Sequence, residues 1–200
     1  MFLDIVILPP ADIGRAVEKL TAKLARSFLL RMRVDNRKLY PHISLYHLVV
    51  PRGRVKTAVA EVSRLVAGQK RIPITLQKVR GGKVFLGVSV KNTQALFRLH
   101  QKILLGLRKF HVGVPEAPWG APQPVRPTPY LKKFGVDGVL NFFWPHITLL
   151  GLKNKEDAEK ALRVANREKN LKNFLADNVS VAVVNKYWQV YKVIKTFKLK

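Results

Sequence analysis

Two short stretches of the 200-residue chain carry matching chemistry: Pro41-His42-Ile43-Ser44-Leu45 and Pro145-His146-Ile147-Thr148-Leu149, each followed by a further leucine, Leu48 and Leu152. Both sit in apolar, β-branched surroundings that read as strands. Residues two apart on a strand share a face about 6.6–6.8 Å apart. His42 therefore points with Ser44, and His146 with Thr148, while Ile43, Leu45, Ile147 and Leu149 turn toward a core. Two such faces across a groove would hold a phosphodiester between two imidazoles. One imidazole takes a proton, the other gives one, and the hydroxyls donate to non-bridging oxygens. That chemistry asks for no metal, and no cofactor is expected. One His-x-Ser/Thr match means little; two copies in equivalent segments mean much more.

Tyr40 and Trp144 each precede a motif histidine by two residues and share its face, which makes both candidates for contact with a sugar or base. His47 lies an odd number of residues from His42 and is expected to face away from the groove. His100 and His111 are expected to be structural or exposed, since no zinc-ligand spacing includes them. There is no His-Glu-x-x-His, no Walker-type phosphate loop and no nucleophile elbow. The absence of cysteine excludes disulfides and thiolate catalysis.

The elements that must position these residues follow from periodicity. A strand over 2–8 runs into Pro9-Pro10, and Ile13, Val17, Leu20 and Leu24 then recur at helical spacing. An extended run over 39–50 precedes a helix over 55–66, closed by Gly68. Runs over 72–79 and 83–90 flank Gly81-Gly82, a hairpin signal in which glycines supply positive backbone angles. A helix follows over 93–111. Six prolines between 112 and 138 argue against helix and central strand there, leaving a linker or a flap that carries Trp119 and Tyr130. A strand over 139–152, a helix over 156–169 and a strand pair over 179–184 and 188–199 complete the chain. Segments 40–90 and 140–199 thus each spell strand, helix, strand, strand. The expected fold is α+β, a single bilobal domain over 1–200. Two pseudo-symmetric lobes of antiparallel sheet are flanked by helices, with the motif strands side by side at a central groove.

On these residues the chain resembles the 2H phosphoesterase superfamily, named for two His-x-Thr/Ser motifs on the central strands of two pseudo-symmetric lobes. The resemblance covers nearly the whole chain. It implies metal-independent action on RNA or nucleotide phosphodiesters: 2′,3′-cyclic phosphodiesterase, 2′-5′ RNA ligase or 2′-5′ phosphodiesterase, or trimming of RNA ends. It also implies that His42 and His146 are the acid–base pair and that Ser44 and Thr148 are the phosphate-holding hydroxyls. His47-Leu48-Val49 and Gly151 stand where the bacterial and archaeal RNA ligase-like branch usually has Phe-Leu-Gly and an arginine.

Charge points the same way. Lys and Arg number 37 against 12 Asp and Glu, a formal charge of +25, while 48% of the chain is hydrophobic. Such a chain folds, and it needs a polyanion. No carboxylate occurs from 62 to 115, where eleven bases do. Arg80 and Lys83 bracket the Gly81-Gly82 turn, within reach of a phosphate backbone. No stretch approaches the roughly 18 apolar residues of a membrane span, and the apolar N-terminus lacks the basic leader of a signal peptide. The expectation is a cytoplasmic, monomeric RNA phosphodiesterase without a membrane partner. The alternative is a basic RNA-binding protein of the same fold without turnover.

Overall fold

Runs rich in Val and Ile form nearly every strand of an antiparallel sheet, because branched side chains pack well on a pleated surface. The computed structural model describes residues 1–82, 84–116 and 128–200. Its strands are β1 (Phe2–Ile7), β2 (Leu30–Arg33), β3 (Ile43–Val49), β4 (Ile72–Ile74), β5 (Leu76–Gly81), β6 (Phe85–Val90), β7 (His146–Leu152), β8 (Phe174–Ala176), β9 (Asn178–Val184) and β10 (Val190–Lys198). Its α-helices are α1 (Ala11–Leu24), α2 (Val55–Val66), α3 (Gln94–Leu107), α4 (Pro129–Phe134) and α5 (Ala158–Glu168).

Sheet order is β10-β9-β1-β3-β7-β6-β5, with β2 also on β7. The motif strands β3 and β7 are central neighbours, joined by one pair, Ile43 opposite Ile147. Both isoleucines are fully buried. Burying a side chain of this size contributes about 1.5–3 kcal/mol, which ties each motif strand to the core from the face opposite its histidine. Helices α2 and α3 pack on the β3, β9, β10 half, and α1 and α5 on the β5, β6, β7 half.

The halves of the sheet are not the two repeated segments. The β5–β6 hairpin follows motif one yet pairs with β7, and the β9–β10 hairpin follows motif two yet reaches β3 through β1. The exchanged connections meet where they cross: β4 pairs with β8, Ile72 opposite Ala176 and Ile74 opposite Phe174. Local pattern gives strands and hairpins but not the strand each hairpin joins.

Two local expectations are corrected. The proline-rich stretch does hold a helix, α4. Thr128 accepts from the Leu131 N–H at 3.1 Å, Pro129 occupies the first turn, where a missing N–H costs nothing, and Gly135 ends the helix at φ 74°. At the β5–β6 turn Gly81 is needed for close approach, since a Cβ there would collide with the Phe85 carbonyl. Trp119 and Lys83 lie outside the described residues. Among the described residues no helix is long and apolar enough to cross a membrane.

Candidate active site

The central pair sets the geometry. With Ile43 opposite Ile147 in an antiparallel register, one step each way places His42 across from Thr148 and Ser44 across from His146. The four polar residues form a square with the histidines on one diagonal. All four line a cleft of about 290 Å³, together with Phe85, Phe142, Phe143, Trp144, Trp188 and Gln189 among others.

Each histidine is held in the same way. His42 Nδ1 lies 2.8 Å from the Tyr40 carbonyl, and His146 Nδ1 lies 2.9 Å from the Trp144 carbonyl. A carbonyl only accepts, so each Nδ1 carries the hydrogen and donates it. When neutral, each ring keeps its lone pair on Nε2. The repeat has therefore preserved an orientation device as well as a residue type. Burial pushes both pKa values below the ordinary 6.5; at His42 the nearby Asp4 partly offsets this. Both imidazoles are consequently neutral at pH 7. His146 has further support: Trp144 stacks on it at 4.6 Å and 27°, and Phe85 lies 5.9 Å away. Gly87, opposite Thr148, leaves room for the ring, since a Cβ there would stand 3.1 Å from His146 Cδ2.

The remaining expected contacts divide. Trp144 lines the cleft and is 40% exposed, an open aromatic face beside a motif histidine. Tyr40 does not line it. Its ring packs against the small apolar cluster of Val6, Ala182, Val184 and Val190, and its contribution to His42 is the backbone carbonyl. Arg80 is exposed in the cross-strand row Arg80–Gly87–Thr148, about two strand spacings or ~9.6 Å from Thr148, outside the cleft lining. Lys83 lies outside the described residues.

Strict alternation fails at His47. Opposite β1 the register runs from Ile5–Tyr46 to Val6–Ser44, so Leu45 is an extra residue on β3. That bulge buries Leu45 and Tyr46 in succession and returns His47 to the Ser44 face, where it lines the cleft. Strand β7 carries the matching bulge at Leu149, between Thr148 opposite Gly87 and Leu150 opposite Leu86. Gly151 thus stands where His47 stands in the other copy. The adjacent apolar pair Leu45-Tyr46, inside an otherwise alternating strand, was the available signal.

Asp4 belongs to the site as well, although strand periodicity does not point to it. It is fully buried on β1, opposite His47, and accepts the Ser44 hydroxyl at 2.6 Å. Ser44 is therefore committed to a carboxylate and presents only lone pairs elsewhere, whereas no such partner claims Thr148 among the described contacts. The two expected phosphate donors are not equivalent. A lone carboxylate in the apolar run Phe2-Leu3-Asp4-Ile5-Val6-Ile7 was the sign to look for.

His100 has a structural place. Leu140 N–H donates to its Nε2 at 3.0 Å, so its Nδ1 carries the hydrogen and donates to the Leu45 carbonyl at 2.7 Å. It stacks on Phe143 with ring centroids 3.9 Å apart. A neutral imidazole thereby ties the β3 bulge to the loop forming one wall of the cleft.

Residues 9–187 match the family model of the 2′-5′ RNA ligase superfamily. The chain belongs to that superfamily. Its structural neighbours agree on the fold. TT0787 of Thermus thermophilus superposes with a TM-score of 0.62 at 16% identity, over 100% of this chain and 98% of that one. Apo Escherichia coli LigT gives 0.57 at 15%, over 100% and 97%. The same LigT complexed with 3′-AMP gives 0.57 at 16%, over 99% and 96%. No curated protein matches the sequence. Membership of this superfamily supports a 2H phosphoesterase-type enzyme.

Proposed function

We propose that the protein is a metal-independent RNA phosphodiesterase acting on 2′,3′-cyclic phosphate or 2′-5′ linkages, and that 2′-5′ ligation is the same displacement with an RNA 5′-hydroxyl in place of water, its 5′-O–P bond forming as the 3′-O–P bond of the cyclic phosphate breaks. The observation that carries this is the convergence of His42 and His146 on one cleft, each with Nδ1 fixed by the carbonyl two residues earlier and Nε2 left for chemistry. In hydrolysis one neutral Nε2 takes a proton from water as the water oxygen bonds to phosphorus. The other histidine, protonated, gives its proton to the ribose oxygen as its bond to phosphorus breaks. An anionic phosphodiester in the cleft favours the imidazolium that burial alone disfavours, so substrate binding itself supplies the acid form. Thr148 donates to a non-bridging oxygen, and Trp144 offers its face to a neighbouring base.

Affinity for a long RNA comes from outside the cleft. Arg15, Lys19 and Lys23 follow one another at four-residue spacing along α1 and line a shallow groove with Asn170, and the exposed Lys192, Lys195 and Lys198 lie on the edge strand β10. That distribution suits a polyanion tracking over the surface of a cytoplasmic monomer.

The test is incubation in EDTA with oligonucleotides ending in 2′,3′-cyclic phosphate or containing a 2′-5′ linkage. Turnover unaffected by EDTA is expected on at least one class. No turnover on either, with tight salt-sensitive RNA binding, would replace this reading with that of a binding protein.

A further inference from the structure

The cleft of this strongly basic protein has no lysine or arginine among its described lining residues; its groups able to carry positive charge are His42, His47 and His146. A bound phosphodiester brings negative charge into that space. His42 and His146 are neutral before it arrives, and their protons are consumed and replaced during turnover. A standing cation has to come from elsewhere.

His47 has the surroundings for it. Its Nε2 stands 3.1 Å from Asp4 Oδ2, an electrostatic contact without the alignment of a hydrogen bond, and His42 Nε2 is farther, at 3.7 Å. Asp4 is fully buried, and its other oxygen, Oδ1, has no hydrogen-bond partner. An ionised carboxylate so placed requires a compensating charge. Among the described residues no lysine or arginine pairs with it, and the nearer imidazole is His47. The His47 ring packs beside both Phe2, at 5.8 Å, and Trp188, at 4.8 Å, which also meet each other edge-on at 5.4 Å; such aromatic neighbours favour a cation. It keeps 16% side-chain exposure and lines the cleft on the Ser44 face.

We propose that His47, paired with the buried Asp4, is the phosphate-binding cation of the cleft. His47 contacts the phosphoryl group, and Asp4 is a positioning residue that acts through it. This rests on the proposed phosphodiester site. It adds a third histidine to the pair and gives the first copy of the repeat a charge that Gly151 denies the second.

The test measures binding without turnover. Inorganic phosphate and a nucleoside 2′-monophosphate are titrated calorimetrically at pH 7 into wild type, His47→Phe, His47→Arg, Asp4→Asn and the Asp4→Asn/His47→Arg double variant, with thermal unfolding of each. His47→Phe and Asp4→Asn are expected to weaken binding about 10- to 100-fold, the scale of a lost charge-assisted contact. His47→Arg should bind close to wild type, and Asp4→Asn should then cost nothing further, because arginine keeps its charge unaided. Unchanged binding in His47→Phe would overturn the proposal. So would an equal loss from Asp4→Asn in the His47→Arg background, which would make Asp4 a purely structural acid. His47→Gln takes the place of His47→Phe if the latter does not fold. Binding through His47 by a protein that hydrolyses nothing would leave this assignment standing and remove the enzymatic one; turnover at unchanged KM in His47→Phe would do the reverse.

Discussion

Replacing either His42 or His146 with alanine is expected to lower kcat on a 2′,3′-cyclic phosphate by about 10²–10⁴-fold, the usual contribution of a positioned acid or base. The double variant should be little worse than the weaker single variant, because the two imidazoles serve a single displacement at one phosphorus and act as a unit. KM should change far less than kcat, since the rest of the phosphate contacts remain. Initial rates in EDTA, beside thermal unfolding of each variant, check this. Loss of less than tenfold from either substitution, in a variant that remains folded, would break the paired role. The pH profile carries the same information. Burial holds both imidazoles below the ordinary 6.5, so the acidic limb of kcat/KM, which titrates the base of the free enzyme, should fall below that value.

His100→Ala should destabilise the protein by about 3–5 kcal/mol in urea unfolding at pH 7. The substitution leaves the Leu45 carbonyl and the Leu140 N–H without their partner, at about 1–3 kcal/mol each, and removes the ring that stacks on Phe143. Leu140 sits at φ 54°, a left-handed backbone that a leucine rarely adopts, and the His100 contact is part of what holds it there. The pH dependence has a definite sign. His100 has its pKa lowered by burial, so below about pH 6.5 the unfolded chain binds a proton that the folded one refuses. The contribution of neutral His100 is complete above that pH and declines as pH falls through it. The variant should therefore lose stability less steeply than wild type between pH 6.5 and 5. Equal slopes would show that His100 is not a buried neutral group.

Much of this site was legible in the sequence. The repeated Pro-His-Ile-Ser/Thr-Leu motif placed both histidines on central strands, because alternation over two or three residues survives folding unchanged. Its reach ended at the first irregularity. Leu45 inserts an extra residue into β3, reverses the parity beyond it and brings His47 into the cleft. Counting from His42 alone cannot detect that. Asp4 is not legible for a different reason. Its partners Ser44 and His47 lie more than 39 residues away, and its burial is known only once β1 is seen between β3 and β9. The hairpin exchange is of the same kind: the glycine-rich β5–β6 turn is written locally, whereas the pairing of β6 with β7 is decided by the whole sheet. Tyr40 shares strand parity with His42, but Val6, Ala182, Val184 and Val190 claim its ring.

The central claim is that His42 and His146 hold one phosphate between them. Its most direct test is an imidazole nitrogen NMR titration of the uniformly labelled protein with a nucleoside 2′-monophosphate. The Nε2 resonances of both histidines should move along a single saturation curve, one of them toward the protonated position, while His100 stays fixed. A response from one histidine alone, or separate curves for the two, would contradict it.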